Sequence, residues 1–204
     1  MSRAETSAQY NKALRQGHKT CNERVLRGEY PYLQILDEIL DDSMAAGHVD
    51  VGVIEIPMDQ IVGTKTEGRR SAFAADFMPL LPANTEFALK WMNLCEAHLS
   101  EEGIRDPIQC YEYMGRFYVQ EGNKRVSVLR SYGAASVPGS VIRVIPIWSD
   151  DPEVQAYYEF LESYLLTGLY QTRFTRPGSF PKLQAALGYE QNHVWTEDER
   201  RLFA

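Results

Sequence analysis

No apolar run in the 204-residue chain approaches the roughly 18–20 residues that a membrane-spanning helix needs, so the sequence offers no membrane anchor of that kind. Residues 1–15 are polar and lack the apolar stretch of a secretory leader. Cysteine is scarce and odd in number (Cys21, Cys95 and Cys110), which excludes a disulfide framework. Together these absences point to a reduced, cytoplasmic protein. Histidine is equally sparse, and His18, His48 and His193 show no companion spacing for a metal site. Cys95 and His98 share a helical face, but two ligands do not make a site. Ser127 has no histidine partner in the pattern, so no acyl-transfer triad is readable. Net positive charge is also lacking. The chain carries −7, which disfavours a dedicated nucleic-acid binder.

What is present is an ordinary globular composition, 44% hydrophobic and 24% charged, with length enough to bury a core unaided. Charge is unevenly spread. Residues 1–28 are net +4, 29–59 net −8 without a single Lys or Arg, 60–148 net +1, and 149–204 net −4. The basic and acidic blocks could pair as neighbouring helices.

Period and punctuation divide the chain into a helical extension (1–49), a core (50–148) and a second helical extension (149–204). The spacing predicts a helix over 3–16 ending at Gly17, with Ala4, Ala8 and Leu14 inward, and a second over 30–46 ending at Gly47. VGVIEIP (51–57) alternates as a strand. Residues 63–86 read as a long functional or mobile loop. Thr85 N-caps a helix over 87–102. PIQCYEY and RFYVQE flank Met114-Gly115 as a hairpin, a helix follows Gly122, and VIRVIPIW (141–148) is a further strand. The final EDERRLFA starts a helical pattern without closing it, which suggests a truncated chain or a missing C-terminal partner domain.

The chemistry-bearing unit is the junction of the second hairpin strand with its helix. Gly122 permits a sharp turn, and the next N–H groups have no helical partners. With the helix dipole, they form an anion site. Asn123, Lys124 and Arg125 occupy that first turn, so the expected ligand is a nucleotide or another phosphate. Glu121, directly before the glycine, is a candidate base or Mg²⁺ ligand; its plainer reading is a salt bridge to Lys124. The hairpin aromatics Tyr111, Tyr113, Phe117 and Tyr118 read as core before they read as a base-stacking surface.

Gly122-Asn123-Lys124-Arg125 at a strand–helix junction resembles the Gly-Glu-Arg-Arg box of ParB chromosome-partition proteins. It is also similar to the Gly-Cys-His-Arg of sulfiredoxins and the Asp-Gly-His-x-Arg of related serine kinases. The flanks agree. Residues 102–108 (EGIRDPI) resemble the family's "Gly-Leu-x-x-Pro-Ile", residues 131–138 its "Leu-Gly-x-x-x-Val-Pro-Val", and residues 54–61 its "Ile-Pro-x-x-x-Ile". The resemblance spans about residues 50–147. It implies an α+β fold: a small mixed β-sheet with helices, ParB/sulfiredoxin-like, carrying the N- and C-terminal helical extensions. It also implies that Arg125 contacts nucleotide phosphate, and that Arg69 or Arg70, ahead of Phe73, faces the nucleotide from the long loop. Asn123 stands where sulfiredoxins have their nucleophilic cysteine, so sulfinic-acid reduction is not expected. No helix-turn-helix is recognisable after residue 148.

The sequence therefore leads to a nucleotide-binding domain. Gly122, Asn123, Lys124 and Arg125 form the cradle, Arg69 or Arg70 closes over it, and Mg²⁺ accompanies a nucleoside triphosphate. Slow hydrolysis or phosphoryl transfer, with Glu121 as the catalytic candidate, is open to such a site, but no residue in it demands turnover. The alternatives are a DNA-associated module of ParB-like nuclease type and a non-enzymatic regulatory or assembly domain, with a homodimer possible in either case.

Overall fold

A computed structural model of the chain describes residues 3–100, 103, 104, 106–170, 172 and 174–203, apart from the side chains of Asp42 and Arg69. Glu102 and Arg105, part of the 102–108 resemblance, lie outside the described residues. The elements in chain order are α1 (Arg3–Leu26), β1 (Gln34–Ile35), α2 (Leu36–Ile39), β2 (Ala45–Pro57), β3 (Ile61–Thr64), α3 (Glu86–His98), β4 (Ile108–Tyr113), β5 (Arg116–Glu121), α4 (Asn123–Ser131), β6 (Ser136–Pro146), α5 (Pro152–Thr167), α6 (Ser179–Ala186) and α7 (Glu197–Phe203). The protein is thus α+β, with helices at both ends and one six-stranded sheet of order β1-β3-β5-β4-β6-β2. Pairings β1–β3, β3–β5 and β4–β6 are parallel, while β4–β5 is antiparallel, so the sheet is mixed. No described helix is long and apolar enough to cross a membrane. The chain forms two compact units, residues 1–145 and 146–204.

In the first unit, α1 packs on α3, α3 on α4, and α4 on β4. Tyr10 of α1 meets Trp91 of α3 edge-on at 5.2 Å between ring centroids. Trp91 Nε1 in turn donates to Ser127 Oγ of α4 at 2.8 Å, entirely out of solvent. Gly17 does not end the first helix, which runs on through it for 24 residues. The reason is close approach. A Cβ at Gly17 would lie 2.4 Å from the Pro79 carbonyl oxygen, so the glycine is what lets segment 78–79 lie against the helix. The inward face is also displaced from the expected one: Tyr10, Ala13 and Gly17 are buried, whereas Ala4 and Ala8 are exposed.

The predicted second helix does not form. Residues 34–35 instead extend the sheet beside β3, and only a single helical turn, α2, follows. Leu33 and Ile35, two apart, are both buried, a strand period that overrides the helical spacing further along. The acidic block largely finds partners other than α1: Asp37 pairs with Lys65 at 2.7 Å, and Glu38 with Arg70. Segment 63–86 is packed, not loose. It contains the end of β3 and a 3₁₀ turn over Glu67–Ala72, and Phe73, Ala74 and Phe77 are fully buried.

The hairpin forms at Met114 and Gly115, both at positive φ (51° and 70°), the twist that suits a two-residue connection. Glu112, wholly buried on β4, secures it. One carboxylate oxygen accepts from the Gly115 N–H, and the other meets Arg143 Nε of the neighbouring β6 at 2.7 Å.

The second unit is built on aromatic contacts of α5, where Phe160 and Tyr164 both pack edge-on against Tyr170. Asp151 caps α5 by accepting from Glu153 N at 2.8 Å, with Pro152 in the first turn. Thr196 and Glu199 form a reciprocal capping box on α7. Those bonds, with His193, hold the Glu199 carboxyl down at about 2.

Two outcomes follow from these contacts. Removing the buried carboxylate in Glu112→Ala breaks its buried pair with Arg143 and costs about 3–5 kcal/mol, measurable by urea unfolding. Glu199 ionises more readily folded than unfolded, so its contribution is full above the ordinary carboxylate range and fades as pH falls from about 4.5 towards 2. Glu199→Gln should flatten that part of the acid-unfolding profile.

Candidate functional site

Gly122 adopts φ +107° and ψ 13°, a left-handed conformation that turns β5 directly into α4. A side chain there would be strained and obstructed, since a Cβ would sit 2.7 Å from Ile108 Cγ2. The first intrahelical bond runs from Val126 N to Gly122 O at 3.0 Å. The N–H groups of Asn123, Lys124 and Arg125 therefore precede the hydrogen-bonded ladder, at the positive end of the helix.

This turn opens onto a cavity of about 550 Å³. One side is the junction itself, from Gln120 to Arg125, and the other is α3, through Lys90, Asn93 and Leu94. Phe73, from the segment before α3, adds an apolar wall. The volume falls within the range of pockets that enclose a small molecule. Its walls combine cationic groups, three carboxamides and an apolar patch, and Glu121 is the one carboxylate among the described lining residues.

Asn123 is the most informative group. It is only 8% exposed, and its Oδ1 has no hydrogen-bond partner among the described residues. A buried, unanswered acceptor is costly, and the residue that carries it lines the cavity. The chemistry that answers it is a donor: a sugar hydroxyl, an amino group, or water held by a cation. Asn123 Oδ1 and the Glu121 carboxylate are hard oxygen donors of the kind Mg²⁺ takes alongside phosphate oxygens, so the lining fits that ion.

Gly122, Asn123, Lys124, Arg125 and Glu121 are brought together. Arg125 is also a clamp. Its Nη1 donates to the carbonyls of Asp106 (2.6 Å) and Pro107 (2.8 Å), tying the start of α4 to the approach of β4. Lys124 Nζ lies 4.9 Å from the centre of the Phe87 ring on α3. Arg70 is not a member of the group. Its guanidinium engages Glu38 and Glu67 and lies 5.6 Å from the Tyr30 ring. The side chain of Arg69 lies outside the described residues.

Sequence reasoning missed the α3 wall. Lys90, Asn93 and Leu94 stand at i, i+3 and i+4, a single helical face, but that face gains meaning only once α3 is known to lie beside the start of α4.

The thiols take no part. Burial pushes Cys95 and Cys110 up to about 12, so neither is a thiolate at neutral pH. Among the described residues, no three metal-ligating His, Cys, Asp or Glu side chains converge. No family model matches this chain, and no curated protein matches it.

The glycine turn supplies a direct test. Gly122→Ala adds ~1–2 kcal/mol of left-handed backbone strain to the collision with Ile108, and should lower the urea midpoint while distorting the cavity. A midpoint equal to wild type would show that the junction relaxes freely.

Proposed function

We propose that the first unit is a nucleotide-phosphate-binding domain of ParB/sulfiredoxin-like type, with the ligand seated at the Gly122–Arg125 junction. The observation that carries this reading is Asn123, buried on the lining of a cavity at the positive end of α4, with its Oδ1 unanswered among the described residues. Phosphate oxygens lie against the first-turn N–H groups, as helix N-termini favour. Lys124 and Lys90 add charge, while Arg125 holds the turn in place and faces the anion from its other side. The sugar supplies the donor that Asn123 lacks, and the base lies towards Phe73 and Leu94. Mg²⁺ travels with the phosphates, near Glu121. Turnover, where it occurs, is slow hydrolysis or phosphoryl transfer, with Glu121 orienting a water or an acceptor hydroxyl.

One observation favours a second reading, a DNA-associated module. Lys12, Arg15 and Lys19 of α1 line a groove of about 430 Å³ together with Arg130, whose guanidinium is held by the carbonyls of Met58 and Ile61. Such a stripe suits a phosphate backbone, although Asp76 lies in the same groove. A salt-dependent gel shift with duplex DNA would support it, and no shift at low salt would remove it.

The experiment for the first reading is thermal melting with CTP, ATP, GTP, ADP and pyrophosphate, with and without Mg²⁺, in wild type and Lys124→Met. Ligand at about 100 times its Kd stabilises by roughly 2.7 kcal/mol, or about 5–10 °C for a chain of this size. A rise with one nucleotide, reduced in Lys124→Met, is expected. No rise with any of them would overturn the reading.

A further inference from the structure

β2 is the longest strand of the sheet, and it stands at an edge. β6 lies on one side of it, and no described strand lies on the other. An open edge carries a row of N–H and C=O groups ready to pair with another chain, and proteins commonly blunt it with lysine, proline or a bulge. Residues 45–56 contain no Lys, Arg or Pro. The one such device is a kink at Gly52, where φ is +78° and the N–H donates to Asp50 Oδ1 at 2.8 Å. Ahead of the kink, residues 45–51 are open to solvent on both faces. None of them is buried, and Val49 is 48% exposed.

This stretch is self-complementary. Alternation puts Gly47, Val49 and Val51 on one face and His48 and Asp50 on the other. Two copies laid antiparallel, with Val49 opposite Val49, bring Gly47 opposite Val51 and His48 opposite Asp50, twice each. The apolar face then meets only apolar residues. A Cβ at Gly47 would have nothing within 4 Å, so the opposing valine has room. On the polar face, His48 has no partner among the described residues. Asp50 commits Oδ1 to Gly52, which leaves Oδ2 for the opposing imidazole. Centring the pair on Asp50 instead would oppose two carboxylates, and centring it on His48 would oppose two imidazoles.

From this we infer that two copies of the chain pair through β2, antiparallel and centred on Val49, joining their sheets around a two-fold axis. The kink at Gly52 confines the pairing to residues 47–51 of each copy, so the contact is small and the dimer weak. A strand of another protein could meet the same edge, but the reciprocal match of His48 with Asp50 is what a second copy supplies. The inference does not rest on the nucleotide reading, since no residue of β2 lines that cavity.

Sedimentation of the full chain, from about 10 µM to about 1 mM, tests it, and a dimer that fills towards the upper end is expected. Val49→Lys sets two lysines face to face on the axis and should leave a folded monomer, since the position is exposed. Asp50→Lys should weaken association about tenfold, and adding His48→Asp should restore it. Both of these variants lack the bond from Gly52 to Asp50, so the rescue reads the pair between copies alone. On oxidation, Val49→Cys should cross-link to its counterpart, because directly opposed residues lie within disulfide reach. Val51→Cys should not exceed wild type, since its counterpart is roughly 13 Å along the strand. The inference is overturned by a monomer throughout the series or by a dimer that survives Val49→Lys. It is overturned equally by no rescue in the charge-swapped variant, or by Val51→Cys cross-linking as readily as Val49→Cys.

Discussion

The left-handed turn at Gly122 is the constraint on which the site depends. It lets β5 end and α4 begin with no intervening loop, so the positive end of the helix is fixed by the rigidity of the sheet. Ile108 fills the space beneath it, and Arg125 locks it from the side through the carbonyls of Asp106 and Pro107. The opposite wall is set by the buried bond between Trp91 and Ser127, which holds α3 beside α4. Glycine conformation, strand packing and helix spacing thus converge on one cavity.

That arrangement separates the roles of the two basic residues in the turn. Arg125 would be the natural choice as the principal phosphate contact, yet its Nη1 is already engaged by the backbone. Truncating it would disturb the turn as well as the charge, so a loss of binding in such a variant would be ambiguous. Lys124, beside the Phe87 ring, is the cleaner probe, because methionine keeps most of its apolar stem.

The parts of the fold that were legible in the sequence are those set by local chemistry. Thr85 caps α3 as its position suggests, accepting from Ala88 N, and Met114-Gly115 makes the hairpin connection. The junction at Gly122 was readable for the same reason: glycine, then a polar first turn, then a helical period. What was hidden depended on partners distant in the chain. Gly17 reads as a helix stop until segment 78–79 is seen against it, and Leu33 with Ile35 reads as part of a helix until β3 appears alongside. Arg70 looked like a lid because it precedes Phe73. Its actual partner, Glu38, is far away in sequence. Lys90 and Asn93 gave no signal as lining residues, because a polar helix face is usually just solvated.

The most direct measurement is a ¹H–¹⁵N titration of the full chain with pyrophosphate, observing the backbone amides. The account predicts that the N–H signals of Asn123, Lys124 and Arg125 move first and furthest, with Lys90 and Asn93 following, as an anion seats on the start of α4. Movement confined to Lys12, Arg15 and Lys19 on α1, with the Asn123–Arg125 amides still, would contradict it and place the anion in the basic groove instead.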